Sequence, residues 1–241
     1  MFKTFFDDKG EVNANLPDLS VLEANILCSD KVDYRQFLHT NHVYNIIHSG
    51  RGFAKTSVMI NIILYKSFDY YYHGTNFLIY REYKNSIDSS LFDKFKKHIA
   101  SIGFTQYFKF TIGKITNIMT QVTINFVGVQ NPDSIQSFDF SLSWGEEAHK
   151  IKLQTFEIVL PTGRRADGEP VTHYLTYNPR TPLDPVEFYK NRADALVMSG
   201  SIYDLPKNWQ NKALLAEAEY YKANEYEKWL HIWKGGYIDA G

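Results

Sequence analysis

The residues whose types and spacing suggest chemistry are Lys55-Thr56, Glu146-Glu147 and Asn178. A β-branched run, Val43-Tyr44-Asn45-Ile46-Ile47, feeds His48-Ser49-Gly50-Arg51-Gly52-Phe53-Ala54-Lys55-Thr56, and an apolar helix-like stretch, Val58 to Leu64, follows. Strand, glycine loop, Lys-Thr and helix form the layout of a phosphate-binding loop. Backbone N–H groups at such a helix start point at an anion, and the helix dipole favours its negative charge. In that layout Lys55 reaches the β- and γ-phosphates of ATP and the Thr56 hydroxyl holds Mg²⁺. The usual pattern has glycine where this chain has Ser49 and Ala54. Gly50 and Gly52 are then expected to supply the left-handed backbone freedom. The plain alternative is an ordinary strand-to-helix turn with a surface lysine.

A second stretch, Phe138 to Trp144, reads as an apolar strand ending in Gly145-Glu146-Glu147-Ala148-His149. At the carboxyl end of a strand both acids can turn into one crevice. Glu146 would then complete the Mg²⁺ shell and Glu147 would polarise an attacking water. On its own, such a pair is equally an ordinary solvated feature. Thr172 to Tyr177 reads as a further buried strand, ending in Asn178-Pro179. Asn178 either senses a γ-phosphate or caps the strand. Gln36, upstream of the loop, reads either as the adenine-edge contact or as a solvated helix residue. Arg164 and Arg165 sit in a Pro/Gly turn, where they meet phosphate or simply face water. Lys94, Lys96, Lys97 and His98 lie off an apolar helical stripe and read as a solvated face before a DNA patch.

The elements that must position these groups follow from periodicity. Asn76 to Arg81 is a short buried strand. Ile87, Leu91, Phe92, Phe95, Ile99 and Ile102 fall at helical spacing, with Ser86 as N-cap and Gly103 as stop. Thr116 to Val127 alternates like two strands joined by a turn. Pro17-Asp18 opens a short helix through Leu19, Leu22 and Ile26, and Asn211 to Trp233 reads as helical. Beyond it Gly235-Gly236 looks like a linker without a convincing helix stop. The 241 residues suffice for one full core with a small lobe. A net charge of −1 gives no argument for a nucleic-acid face. The lone Cys28 cannot form an internal disulfide and suits a reducing compartment. No apolar run approaches a membrane span, and the acidic start at Met1 to Asp8 does not read as a signal peptide.

In combination these stretches resemble the ATPase domain of a tailed-phage terminase large subunit. His48 to Thr56 is similar to that family's arginine-containing loop, and Trp144-Gly145-Glu146-Glu147-Ala148 to its Trp-x-Glu-Glu-Ala. Tyr177-Asn178-Pro179 stands where its coupling segment ends, and Tyr80-Arg81 leading into Ser86 is a further likeness. The resemblance implies an α/β P-loop NTPase of the ASCE, RecA-like type: a mostly parallel sheet flanked by helices, with a small helical lid. The expected division is an N-terminal segment over 1–35, a core over 36–200, and a lid over 201–241 leading to a nuclease half absent from this chain. It also implies ATP and Mg²⁺ as ligands, with Lys55 and Thr56 on phosphate and metal, Glu146 on metal and Glu147 catalytic. Arg51 would neutralise transition-state charge, Asn178 would couple hydrolysis to the lid, and Arg81, Arg164 or Arg165 would act on a neighbour's ATP. Implied partners are double-stranded DNA, a portal protein, a terminase small subunit and a pentameric ring of copies. The implied setting is the host cytoplasm and, transiently, the procapsid, with no membrane. Two other readings stay open: a helicase-like motor, which usually needs two lobes, and a degenerate assembly module without turnover.

Overall fold

The computed structural model describes residues 17–83, 87–131, 135, 138–165 and 168–238. Eight strands form one sheet: β1 (Tyr44–Ser49), β2 (Asn76–Arg81), β3 (Phe108–Thr111), β4 (Lys114–Asn117), β5 (Thr123–Gly128), β6 (Leu142–Glu146), β7 (Thr172–Tyr177) and β8 (Ala195–Gly200). Their order is β3-β4-β5-β2-β6-β7-β1-β8. From β5 to β8 every neighbouring pair is parallel, and β4 joins β5 and β3 antiparallel.

A parallel sheet is covered on both faces, so its strands read as continuous apolar runs. Successive residues still separate by face. Ile47, Phe77, Ile79 and Trp144 enter one core, whereas Ile46, Leu78, Tyr80 and Leu175 enter the other. The first core is closed by α2 (Lys55–Ser67) and by α3 (Asp93–Ser101), which continues a π-helical segment over Ile87–Phe92. The second is closed by α4 (Leu153–Thr162) through Phe156 and Val159. The short α1 (Ser20–Ala24) packs on α2, where Tyr65 Oη donates to Glu23 Oε1 at 2.6 Å. Leu22, Tyr34 and Phe37 share the first core. After the four-residue α5 (Glu187–Lys190), β8 leads to a third cluster of Ile202, Ala218, Trp229 and Trp233.

The helical stripe before Gly103 is present, and Gly103 takes a left-handed φ of 74° as its stop. Ser86 lies outside the described residues. The two strands in 116–127 are β4 and β5, with β3 added to them through a turn at Gly113 (φ 67°). The tail is helical as expected and divides into two helices, α6 (Lys212–Asn224) and α7 (Tyr226–Lys234), because Glu225 leaves helical geometry at φ −144°, ψ 65°. Contrary to expectation it has a proper stop, since Gly235 takes φ 75° after α7. No helix among the described residues is long and apolar enough to cross a membrane.

Candidate nucleotide site

β1 lies between β7 and β8, and the loop from its carboxyl end opens α2. The loop's left-handed positions are Gly52 (φ 82°) and Ala54 (φ 61°). Ala54 therefore adopts the strained conformation itself, at a cost of about 1–2 kcal/mol for a residue with a Cβ. Gly50 is needed for a different reason than backbone freedom. A Cβ there would stand 2.1 Å from the Trp233 carbonyl oxygen. The C-terminal helix is thus seated on the loop, where Arg51 N–H donates to Ile232 O at 2.6 Å. From the other side Phe53 is buried against Tyr34, whose Oη donates to Phe53 O at 2.7 Å.

Lys55 reaches back over the loop. Its Nζ donates to Ser49 Oγ at 2.5 Å and to Asn178 Oδ1 at 2.7 Å. Ser49, standing where glycine is usual, supplies a side-chain anchor for the lysine. Asn178 brings β7 to the same ammonium. Burial lowers the Lys55 pKa to about 7, against an opposing pull from the Glu146 carboxylate. The first turn of α2 has no side-chain cap, so its amide N–H groups are free to meet an anion.

Glu146 ends β6 fully inside the site. Its Oε1 accepts from Thr56 Oγ1 at 3.2 Å, and its Oε2 accepts from Arg81 Nε at 2.7 Å. Trp144 Nε1 donates to Thr176 Oγ1 at 2.9 Å and ties β6 to β7 beneath them. Glu147 is left-handed at φ 53°, which turns its carboxylate out of the strand to the side of the cavity. It pairs with Lys150 Nζ at 2.5 Å. Burial pushes the Glu147 carboxyl up, but Lys150, Arg81 and His149 outweigh it and hold the group below its usual range.

These groups surround a cavity of about 300 Å³, which brings together Arg51, Lys55, Thr56, Glu146, Glu147 and Asn178. Gly52, Phe53, Ala54 and Ser57 complete the loop side; His149, Thr176 and Tyr177 line the strand side. Thr56 and Glu146 present adjacent hard oxygens, the donor type Mg²⁺ prefers when phosphates supply the rest of its shell. Among the described residues no group of three or more His, Cys, Asp or Glu side chains is gathered to hold a metal ion.

Other expected residues lie elsewhere. Gln36 is exposed, donates to Asp33 O at 2.8 Å and does not line the cavity. Arg81 is buried and paired within its own chain, which argues against its reaching a neighbour's ATP. Arg164 donates its N–H to Phe140 O just before β6, and Arg165 stacks at 3.8 Å on Tyr71. Both stand at the sheet end opposite Lys55. His149 is a cavity residue to which the sequence pattern assigns no role. Burial, with Arg180 nearby, lowers its pKa to about 4, and its Nδ1 has no partner among the described residues.

Residues 41–236 match the family model of the phage terminase large subunit. No curated protein matches the chain. The fold is similar to that of the HK97 bacteriophage large terminase (TM-score 0.68, 10% identity, 92% of this chain and 56% of that one). It is also similar to the ATPase domain of the Thermus phage P74-26 large terminase (TM-score 0.62, 9% identity, 81% and 88%). A third likeness is to the large terminase of a thermophilic bacteriophage solved with ADP (TM-score 0.57, 15% identity, 85% and 48%). The chain thus spans about half of the full-length structures and most of the isolated ATPase domain. With a family match over the loop, both carboxylates and Asn178, and with the same fold around them, this chain belongs to the phage terminase large-subunit family.

Proposed function

We propose that this chain is a Mg²⁺-dependent ATPase whose turnover drives double-stranded DNA into a procapsid. The observation that carries the reading is the convergence of Lys55, Thr56, Glu146, Glu147 and Asn178 from three parallel strand ends on one cavity. Lys55 and the open N–H groups of α2 bind the phosphates, and Phe53, fixed by Tyr34, keeps the loop in shape. Thr56 and Glu146 are the side chains that would hold Mg²⁺, which would supply positive charge against the phosphates. Glu147 stays ionised at neutral pH and orients a water while accepting its proton. Arg51, exposed at the cavity rim, supplies positive charge toward the transferred group.

Asn178 holds Lys55 directly, so a change in phosphate charge at Lys55 is felt by β7. Through the Ile232 contact the same loop is joined to α7, which gives hydrolysis a route to the C-terminal helices. Portal protein, small subunit and a ring of copies belong to this proposal as the assembly in which that movement does work. Arg164 or Arg165 stands as the arginine offered to a neighbour.

Steady-state ATP hydrolysis of wild type beside Glu147→Gln tests the reading. Turnover in the variant should fall by about 100-fold or more while nucleotide binding persists. Equal measurable rates in the two proteins would reject Glu147 as the catalytic base, and negligible rates in both with no ATP binding by calorimetry would reject the ATPase assignment.

A further inference from the structure

His149 is the residue of the nucleotide cavity that the proposed mechanism leaves unused. It lines the cavity yet is only 9% exposed, and its buried Nδ1 has no hydrogen-bond partner among the described residues. Buried polar atoms are nearly always paired, and leaving one unpaired is costly. Packing of the wall gives that nitrogen no use, whereas a ligand in the cavity would.

The main chain at His149 is fixed independently of the ring. Lys150 N–H closes the turn onto Glu147 O at 2.9 Å, and Arg180 Nη2 donates to His149 O at 2.8 Å. Arg180, two residues past Asn178, is itself paired with Asp184 at 3.5 Å. The turn that carries Glu147 and His149 is thereby stapled to the segment that carries Asn178. The imidazole thus stands with the groups proposed to meet the terminal phosphate. Arg180 and Lys150 favour its neutral form, Glu147 and Asp184 oppose them, and burial decides the balance. A neutral imidazole offers one N–H donor and one acceptor.

We infer that the His149 imidazole binds the terminal phosphate of ATP, donating a ring N–H to one of its oxygens and so separating triphosphate from diphosphate. This rests on the proposed function, since it takes ATP as the occupant of the cavity. Phosphate oxygens only accept, so the bound ligand selects the tautomer whose N–H meets it. A hydrogen bond to a charged oxygen is stronger than one between neutral groups, and ADP lacks the phosphate concerned.

The test is calorimetric titration of AMP-PNP, a non-hydrolysable triphosphate, and of ADP into the full chain with Mg²⁺. His149→Phe keeps a ring in the wall and removes both nitrogens, while the Arg180 bond, made to main chain, is retained. AMP-PNP should bind this variant at least about tenfold more weakly than wild type, with ADP affinity within about twofold. His149→Gln and His149→Asn return an amide N–H near the places of Nε2 and Nδ1, and one of them should recover most of the loss. A purely structural role would weaken both nucleotides together. Thermal melts report folding. If His149→Phe does not fold, a gap of about tenfold between the Gln and Asn variants for AMP-PNP, absent for ADP, carries the test. Equal losses for both nucleotides, or no loss for AMP-PNP, overturn this inference and leave the nucleotide site standing. Wild type that binds neither nucleotide overturns the proposed function and this inference with it.

Discussion

Arg81 Nε stands 2.7 Å from Glu146 Oε2, with both side chains less than a tenth exposed. The carboxylate proposed above to hold a metal is therefore already paired with a cation of its own chain. Parallel register makes this unavoidable: Tyr80 pairs with Gly145, so the next residues on β2 and β6 are neighbours. Removing one member of a buried pair strands the other. Arg81→Ala should accordingly destabilise the protein by about 3–5 kcal/mol, visible as a large drop in melting temperature. Added Mg²⁺ should recover more of that loss in the variant than it adds to wild type, and an unchanged melting temperature would refute the pairing.

On the proposed function, Lys55 should make nucleotide binding pH-dependent. Its ligand-free pKa is pulled down to about 7 by burial, and phosphate would raise it. Above pH 7 the free site is increasingly neutral while the bound site is charged, so binding takes up a proton. Affinity should fall as pH rises through 7 and level off below it. Calorimetry at about pH 8 in two buffers of different ionisation enthalpy should show that uptake. Heats independent of the buffer would contradict it.

Ala54 carries the backbone strain of the loop at φ 61°. Ala54→Gly removes that strain but frees the unfolded chain, so it should be neutral or stabilising by up to about 1 kcal/mol. Ala54→Val puts a β-branched side chain in the same conformation and should cost more than about 1 kcal/mol. Denaturant midpoints of the two variants in the reverse order would show that the loop tolerates this geometry without strain.

Gly50→Ala should separate α7 from the loop, because the new methyl meets main chain rather than a movable side chain. A loss of about 1–3 kcal/mol is expected, with slower ATP turnover. Substitution at Gly74 is the control for backbone strain alone: its φ is 70°, but nothing lies within 4 Å. Equal turnover in Gly50→Ala and wild type would mean that the helix is not coupled to the loop.

The parts legible in the sequence are those with local signals. The β1–loop–α2 unit, the strand ending at Glu146 and the strand ending before Asn178 each announce themselves by apolar runs and turn residues. Their convergence on Lys55 and Thr56 follows from the parallel sheet. Contacts between distant strand ends were not legible: Arg81 and Glu146 lie 65 positions apart, and only register joins them. Strand β3 (Phe108–Thr111) is held only by its antiparallel pairing with β4 at the sheet edge, a contact that the sequence pattern does not show. Glycine also misled. Gly50 serves packing rather than φ, and Gly235, read as linker, ends a helix against the loop. In each instance the deciding atom belongs to a residue far along the chain.

That last contact has a consequence for how the molecule opens. Arg51 N–H is held by the Ile232 carbonyl, Gly50 lies under Trp233, and Gly235 presses on Ser49 and Gly50. The phosphate loop and α7 consequently form one cooperative unit of sub-global unfolding, although they come from opposite ends of the sequence. Solvent reaches the Arg51 amide only when α7 lifts away, so the deuterium-exchange lifetime of that single amide times the detachment of the C-terminal helix.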